Sequence, residues 1–348
     1  MSSKAYRRKL DIENGRIDLS RGAGGRAMAQ LISDLFHEAF DNDWLRRGND
    51  QAVFDVAQGR MVMTTDSYVV SPLFFPGGDI GALAVHGTIN DVAMAGAQPL
   101  YLSAGFILEE GLALADLKRI ADSMGAAARA AGVPIVTGDT KVVERGKADG
   151  VFISTTGIGV VPAGLDLSAE KAQPGDRVIL SGTIGEHGVA IMSKRQNLSF
   201  ETEIASDSAA LHGLVAVMVE AGGEAIRVMR DPTRGGLGAT LNELAQQSGV
   251  GIRIAEEAVP VKPEVAAACE LLGLDPLYVA NEGKLVAVVA PNSADAVLAV
   301  MRAHPLGREA AIIGEVVADA QRFVEMTTGF GGGRIVDWLS GDQLPRIC

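Results

Sequence analysis

LALADLKRIADSMGAAARAAGVPIVTGDTKVV, residues 112–143, decides the fold class. Leu114, Leu117, Ile120, Ala121, Met124, Ala128 and Ala131 recur at the three-and-four spacing that lines one face of an α-helix. Gly132 supplies a stop, and Pro134 just beyond it cannot continue the helix. Val133–Val136 then turns β-rich, and a second β-rich run covers Val151–Val161. Between them lies GDTKVVERGKADG, so the spacing predicts a polar loop that carries Asp139, Thr140 and Lys141 between two strands. Helices alternating with strands in this way predict an α/β (α+β) domain.

Upstream, MVMTT (61–65) is a short β-rich run that ends at Asp66, which predicts a strand with a carboxylate at its mouth. RGAGGRAMAQLI (21–32) sets Gly22, Gly24 and Gly25 directly before a helical pattern, where free backbone N–H groups and the helix dipole could receive phosphate. It lacks the Gly-Lys-Ser/Thr ending of a P-loop, and no strand precedes it, so a flexible turn is the plain alternative. Downstream, the pattern restarts near residue 165: AEKAQPGDRVILSGTIG holds a Pro174–Gly175 turn and a new apolar strand, Val178–Leu180. Helices are expected around Leu237–Gln247, Pro263–Leu272 and Ser293–Ala303, with strands at Leu285–Ala290, Ala311–Val317 and Arg322–Val324. The expected organisation is two α/β halves, 1–165 and 166–328. They are followed by a glycine-hinged, mobile tail, 329–348, with too few apolar residues for a core of its own.

Charge narrows the function. There are 31 Lys and Arg against 43 Asp and Glu, a net charge of −12, so the surface repels polyanions and neither nucleic acid nor an anionic membrane is an expected partner. The basic opening MSSKAYRRKLDIENG has no apolar h-region after it, and no run approaches the ~18 apolar residues of a membrane span, so a cytoplasmic protein is expected. Cys269 and Cys348 are the only cysteines, too few for a disulfide framework or a zinc site.

The chemistry rests on lone aspartates at element ends: TTDS (Asp66), NDVAMAG (Asp91), TGDTKVV (Asp139) and RDPTRGG (Asp231). Mg²⁺ takes oxygen ligands, typically a few carboxylates with triphosphate oxygens and water, and four such positions could supply the carboxylates. Any one Asp is more often a cap or turn residue; the set points to a metal–nucleotide site. His86 and His187 are isolated and fit hydrogen-bonded structural roles. Glu282, in a turn before a strand, is either exposed or a base, and Cys269 on an Ala-rich helix reads as inert. Cys348 is different, because a thiol at the end of a hinged arm can visit successive sites as a carrier does. Its adjacent α-carboxylate raises the thiol pKa, so a cation such as Arg346 or the host site is needed to activate it.

GAGGRAM, TTDSYVVSPLFFPGGDIG, LAVHGTINDVAMAGA, VTGDTKVV, EHGVAIMSKR, DPTRGGL, NEGK and the terminal PRIC together resemble the HypE family of hydrogenase maturation factors. That family belongs to the aminoimidazole-ribonucleotide synthetase (PurM-like) ATP-binding superfamily. Glu186 departs from the family's commoner Asp, and RQN from its commoner Arg-Glu-Gly. The resemblance implies a two-domain PurM-like fold that dimerises through its N-terminal sheet and holds ATP and Mg²⁺ between the domains. It implies metal and phosphate positions at Asp66, Asp91, Asp139 and Asp231, nucleotide contacts at Asn90 and Thr140, and a phosphate lid at Gly22–Gly25. It further implies that Cys348 accepts a carbamoyl group from the carbamoyltransferase HypF. The thiocarbamate is dehydrated to a thiocyanate with ATP, Glu282 acting as base with Lys141 assisting. Cyanide then passes to iron on the HypC–HypD scaffold, towards [NiFe]-hydrogenase. Another PurM-like ATP-dependent synthetase or kinase, or a non-enzymatic nucleotide-dependent adaptor, is the alternative expectation.

Overall fold

The computed structural model describes residues 10–21, 26–46, 52, 54–55, 59–198, 203–338 and 346–348. Three short helices, α1 (Arg26–Leu31), α2 (His37–Phe40) and α3 (Asp43–Arg46), lead into β1 (Arg60–Tyr68). The two-residue strands β2 (Phe74–Phe75) and β3 (Gly78–Asp79) then pair and turn the chain into α4 (Ile80–Met94). Asp79 caps this helix, its Oδ1 accepting the N–H groups of Gly81 at 2.8 Å and Ala82 at 3.1 Å. β4 (Gln98–Glu109), α5 (Leu114–Ala131), β5 (Ile135–Val143) and β6 (Val151–Val161) complete a four-stranded sheet in the order β1-β6-β4-β5. β4 and β5 are parallel, joined by the crossover through α5, and the other pairs are antiparallel.

The expected loop at Asp139–Lys141 is strand. β5 runs through it to Val143, with Gly105 opposite Asp139 and Ile107 opposite Lys141. The long partner β4 satisfies the backbone groups of these polar residues, and that tertiary pairing outweighs their weak β propensity. Strand alternation then sends Asp139 and Lys141 to one face and the buried Thr140 to the other. Likewise β1 continues past Asp66 to Tyr68, so the carboxylate sits within the strand. The inner face of the sheet is covered by α4, which is buried nearly all round, and by α5, which buries the stripe that periodicity predicts and ends at Gly132 with φ 69°. On the outer face Met61, Met63 and Ile107 are exposed.

The second half runs β7 (Arg177–Leu180), α6 (Glu186–Arg195), α7 (His212–Gly222), β8 (Ile226–Arg230), α8 (Gly236–Ser248) and β9 (Gly251–Ala255). It continues with α9 (Pro263–Leu272), β10 (Val286–Val289), α10 (Ala294–Ala303), β11 (Ala311–Val317), β12 (Val324–Thr327) and β13 (Gly333–Ile335). These strands form a seven-stranded sheet, β13-β12-β9-β11-β7-β10-β8, antiparallel except for β12 with β9. Apolar side chains of α8 fill one face, and those of α7 and α10 fill the other. That is why VAVV in β10 is apolar at every position rather than at alternate ones. The strand expected at Arg322–Val324 starts later, because Arg322 has φ 61° in a turn whose N–H groups, at Gln321 and Phe323, are held by the Asp319 carboxylate. β13 is an element the sequence reading did not contain. Beyond it Val336 is buried, and its carbonyl accepts from Asn242 of α8 at 2.9 Å. α6 and α9 pack against the first core, which draws the two sheets' loops together around one cleft.

Candidate functional site

Asp66, Asp91, Asp231, Thr233, Arg234, Glu282 and Cys348 line a cleft of about 400 Å³. Each arrives there through the fold: Asp66 on the inner face of β1, Asp91 on α4, Asp231 just after β8, Arg234 before the start of α8, and Glu282 in the turn before β10. Thr64 donates to Asp91 at 2.7 Å, and the buried Tyr68 hydroxyl donates to Asp66 at 3.2 Å. Burial, reinforced by the negative charge of Asp66, raises Asp91 to about 6. Burial, together with Asp91 and Asp66, raises Asp231 to about 7. Carboxylates held this close to one another favour a proton or an external cation between them.

The donor set is all oxygen, which suits a hard divalent ion such as Mg²⁺ rather than a soft one. Among the described residues no three His, Cys, Asp or Glu side chains close around a single point. An ion here would therefore complete its shell with phosphate or water oxygens, the usual habit of Mg²⁺.

The turn that carries Glu282 is built from its neighbours. Asn281 accepts from the Gly185 N–H at 2.7 Å and donates to the carbonyls of Pro232 and Val279, both at 3.0 Å. Gly283 must be glycine, since a Cβ there would lie 1.8 Å from the Asp207 carbonyl oxygen. Asp207 receives the N–H groups of Glu282 and Gly283 and the ammonium of Lys284, all at 3.1 Å. Burial pushes the Asp207 carboxyl up, but Lys284, His187 and the Glu282 N–H outweigh it and leave the group below the ordinary carboxylate range. Glu282 itself is buried, which excludes the exposed alternative. Burial, followed by the charges of Asp231, Asp207 and Asp66, drives its pKa well above the ordinary value, and Oε1 has no hydrogen-bond partner.

The chain end closes the cleft. The Cys348 thiol lines the same cleft as the Glu282 carboxyl. Burial and that carboxyl push the thiol pKa up, and Arg234 opposes them. Of the two expected sources of positive charge it is the host site, through Arg234, that lies in the cleft with the thiol, while Arg346 pairs with Asp149 at 2.6 Å. Val69 N–H donates to the Cys348 carbonyl at 3.2 Å, Ser71 N–H to the Arg346 carbonyl at 3.1 Å, and Ile347 is buried.

Of the residues singled out in the sequence, the structure gathers Asp66, Asp91, Asp231, Glu282 and Cys348. Asp139 and Lys141 form an exposed ion pair at 2.6 Å on the outer face of the sheet, outside this cleft. Asn90 is not free for a ligand: its amide donates to the carbonyls of Ala209 and Glu282, and its oxygen accepts from Leu211 N–H. It positions the Glu282 turn instead. Gly22, Gly24 and Gly25 lie outside the described residues. His86 contacts Ser208, and the buried His187 contacts Ser206 and the Ile347 carbonyl. Cys269 is buried on α9, and burial raises its thiol to about 11. Sequence reasoning missed Asp207 and Arg234. The Asn-Glu-Gly-Lys string implies a partner for its lysine, but nothing in IASDSAA marks Asp207 as that partner.

Comparison with known proteins matches this architecture in two parts. The AIR synthase related protein N-terminal domain model covers residues 48–161, and the corresponding C-terminal domain model covers 173–326. Fold and cleft therefore define an AIR synthase-related, PurM-like protein. Carbamoyl dehydratase HypE of Bradyrhizobium diazoefficiens is 78% identical over 345 residues, which is 99% of this chain and 100% of the relative. A crystal structure of hydrogenase maturation protein HypE in complex with ATP superposes with a TM-score of 0.91 at 53% identity, covering 95% of this chain and 99% of that one. A HypE–HypF complex matches with a TM-score of 0.79 at 52% identity, over 89% of this chain and 99% of its counterpart. The chain belongs to the HypE family of carbamoyl dehydratases, a family of enzymes in hydrogenase maturation.

Proposed function

We propose that this chain dehydrates a carbamoyl group carried on its own C-terminal thiol, Cys348, to a thiocyanate at the expense of ATP, supplying cyanide for the iron of [NiFe]-hydrogenase. The observation that carries the reading is that Cys348 and the buried Glu282 line one carboxylate-lined cleft. The balance is simple. The γ-phosphoryl group passes to the carbamoyl oxygen, the C–O bond breaks as phosphate leaves, and the two N–H protons are released as the C≡N bond forms. Phosphate is the good leaving group that a bare oxygen is not.

Glu282 lines the cleft beside the thiol and takes a proton from the carbamoyl nitrogen. Asp66, Asp91 and Asp231 would hold Mg²⁺, which neutralises triphosphate charge when bound. Gly22, Gly24 and Gly25 would cover the phosphates. Arg234 faces charge developing at the thiol end of the cleft.

Asp139 and Lys141 belong in this reading to a homodimer, while Thr140 faces the buried side of the sheet. Pairing the outer faces of two four-stranded sheets covers Met61, Met63 and Ile107 and puts the Asp139–Lys141 pair at the interface, where its catalytic part would be played. The partners are HypF for loading and HypC–HypD for delivery, in the cytoplasm. No helix among the described residues is long and apolar enough to cross a membrane. The proposed division is an ATP-binding and dimerising domain (1–165), a C-terminal domain (166–328) and a carrier tail (329–348).

The test is Glu282→Gln. The variant should still bind ATP and accept carbamoyl, then hold it, with dehydration slowed by about 10²-fold or more. Dehydration at the wild-type rate removes Glu282 as the base.

A further inference from the structure

The last three residues are gripped from outside the cleft. Arg195, at the end of α6, donates through Nη2 to the Arg346 carbonyl at 2.8 Å, and through Nε and Nη2 to the Ser71 carbonyl at 2.9 and 2.7 Å. The N–H groups of Ser71 and Val69, two residues apart, meet the carbonyls of Arg346 and Cys348. His187 Nε2 lies 2.7 Å from the Ile347 carbonyl. The Arg346 side chain turns the other way, to Asp149, from a backbone with φ 56°. A left-handed conformation at a non-glycine residue needs support from its surroundings, and this ring of contacts provides it. Apart from the two Arg195 bonds to Ser71, which brace the arginine, these contacts reach the backbone of residues 346–348 or the Arg346 side chain, and none of them reaches the thiol.

We propose that Arg195 and Asp149 are positioning residues that clamp the tail in the cleft by its backbone and Arg346, without sensing what the sulfur carries. Bare and loaded tails then dock alike. Opening is governed by the clamp, and the substituent is recognised separately by Glu282 and its neighbours. The inference rests on the reading of Cys348 as a carrier, but its test makes no use of the reaction.

Iodoacetamide alkylation of the full-length protein is followed by mass at Cys348 and at Cys269, the latter buried on α9 and serving as the monitor of global opening. If alkylation proceeds from the released tail, its rate scales with the open population. Asp149→Ala removes a half-exposed ion pair and should raise the Cys348 rate about threefold. Arg195→Ala removes charge-assisted bonds at two carbonyls and should raise it about tenfold or more. The exchange Asp149→Arg with Arg346→Asp should return the rate to near the wild-type value. The clamp is refuted if Arg195→Ala leaves the Cys348 rate unchanged, if Cys269 accelerates in parallel, or if the exchanged pair opens as fast as Asp149→Ala. A thiol that is never carbamoylated would overturn the carrier reading and leave these rates as they are.

Discussion

Asp207→Asn tests the foundation of the site, because Asp207 fixes the Glu282 turn from beneath. The carboxylate and the Lys284 ammonium are 3% and 12% exposed, so the substitution strands a nearly buried cation. Removing one member of such a pair costs about 3–5 kcal/mol, whereas removing both costs far less, because desolvation of the pair already offsets most of its attraction. Asn can still accept from one of the two N–H groups, of Glu282 and Gly283, that Asp207 receives. Asp207→Asn with Lys284→Met should therefore lose only about 1–2 kcal/mol, for the orphaned donor. The Asp207 pKa is lowered on folding, so its contribution is present above the unfolded carboxylate value, about 3.9, and fades as pH falls through the lower folded value. Urea titrations of the wild type, Asp207→Asn and the double variant at pH 7 supply the three stabilities. A loss under about 1 kcal/mol in Asp207→Asn, or a double variant no more stable than the single, refutes this account of the turn.

Two further outcomes follow from the same structure. Burial, aided by His212, lowers His86 to about 4, so between about pH 6.5 and 4 the unfolded chain binds a proton that the native state refuses; stability should fall as pH drops through that window, and His86→Gln should flatten the slope in thermal melts at stepped pH. Asp79→Ala uncaps α4, the helix that carries Asp91, and should cost about 1–2 kcal/mol in a urea titration, with Asp79→Asn keeping most of the stability.

The residues most legible in the sequence were those obeying a local rule. The stripe from Leu114 to Ala131 and its stop at Gly132 depend only on helix geometry, and the structure has that helix. Pro263 at the first position of α9 and the uninterrupted VAVV of β10 were equally local signals. Asp139–Lys141 was misjudged because its strand exists through pairing with β4, which lies thirty-odd residues earlier and was not itself recognised. The site divides in the same way. Aspartates at element ends marked Asp66, Asp91 and Asp231, but which face of the sheet each side chain takes follows from strand register, and that separates Asp139 from the others. The family resemblance implied a nucleotide contact for Asn90; its amide instead serves the Glu282 turn, almost two hundred residues away. Arg346 was the nearest cation in sequence, and Arg234 meets the thiol only once the fold brings the start of α8 and the chain end to the same cleft.

The central claim is that Cys348 carries the group being dehydrated. It is tested most directly by the intact mass of the wild type and of Cys348→Ala after incubation with the carbamoyltransferase, its substrates and Mg-ATP, and again with a non-hydrolysable ATP analogue in the second step. The account predicts one carbamoyl group added to the wild type at Cys348, loss of one water from that adduct with ATP only, and no adduct on Cys348→Ala. An unmodified Cys348 alongside a demonstrably active transferase, or the same adduct and water loss on Cys348→Ala, would contradict it.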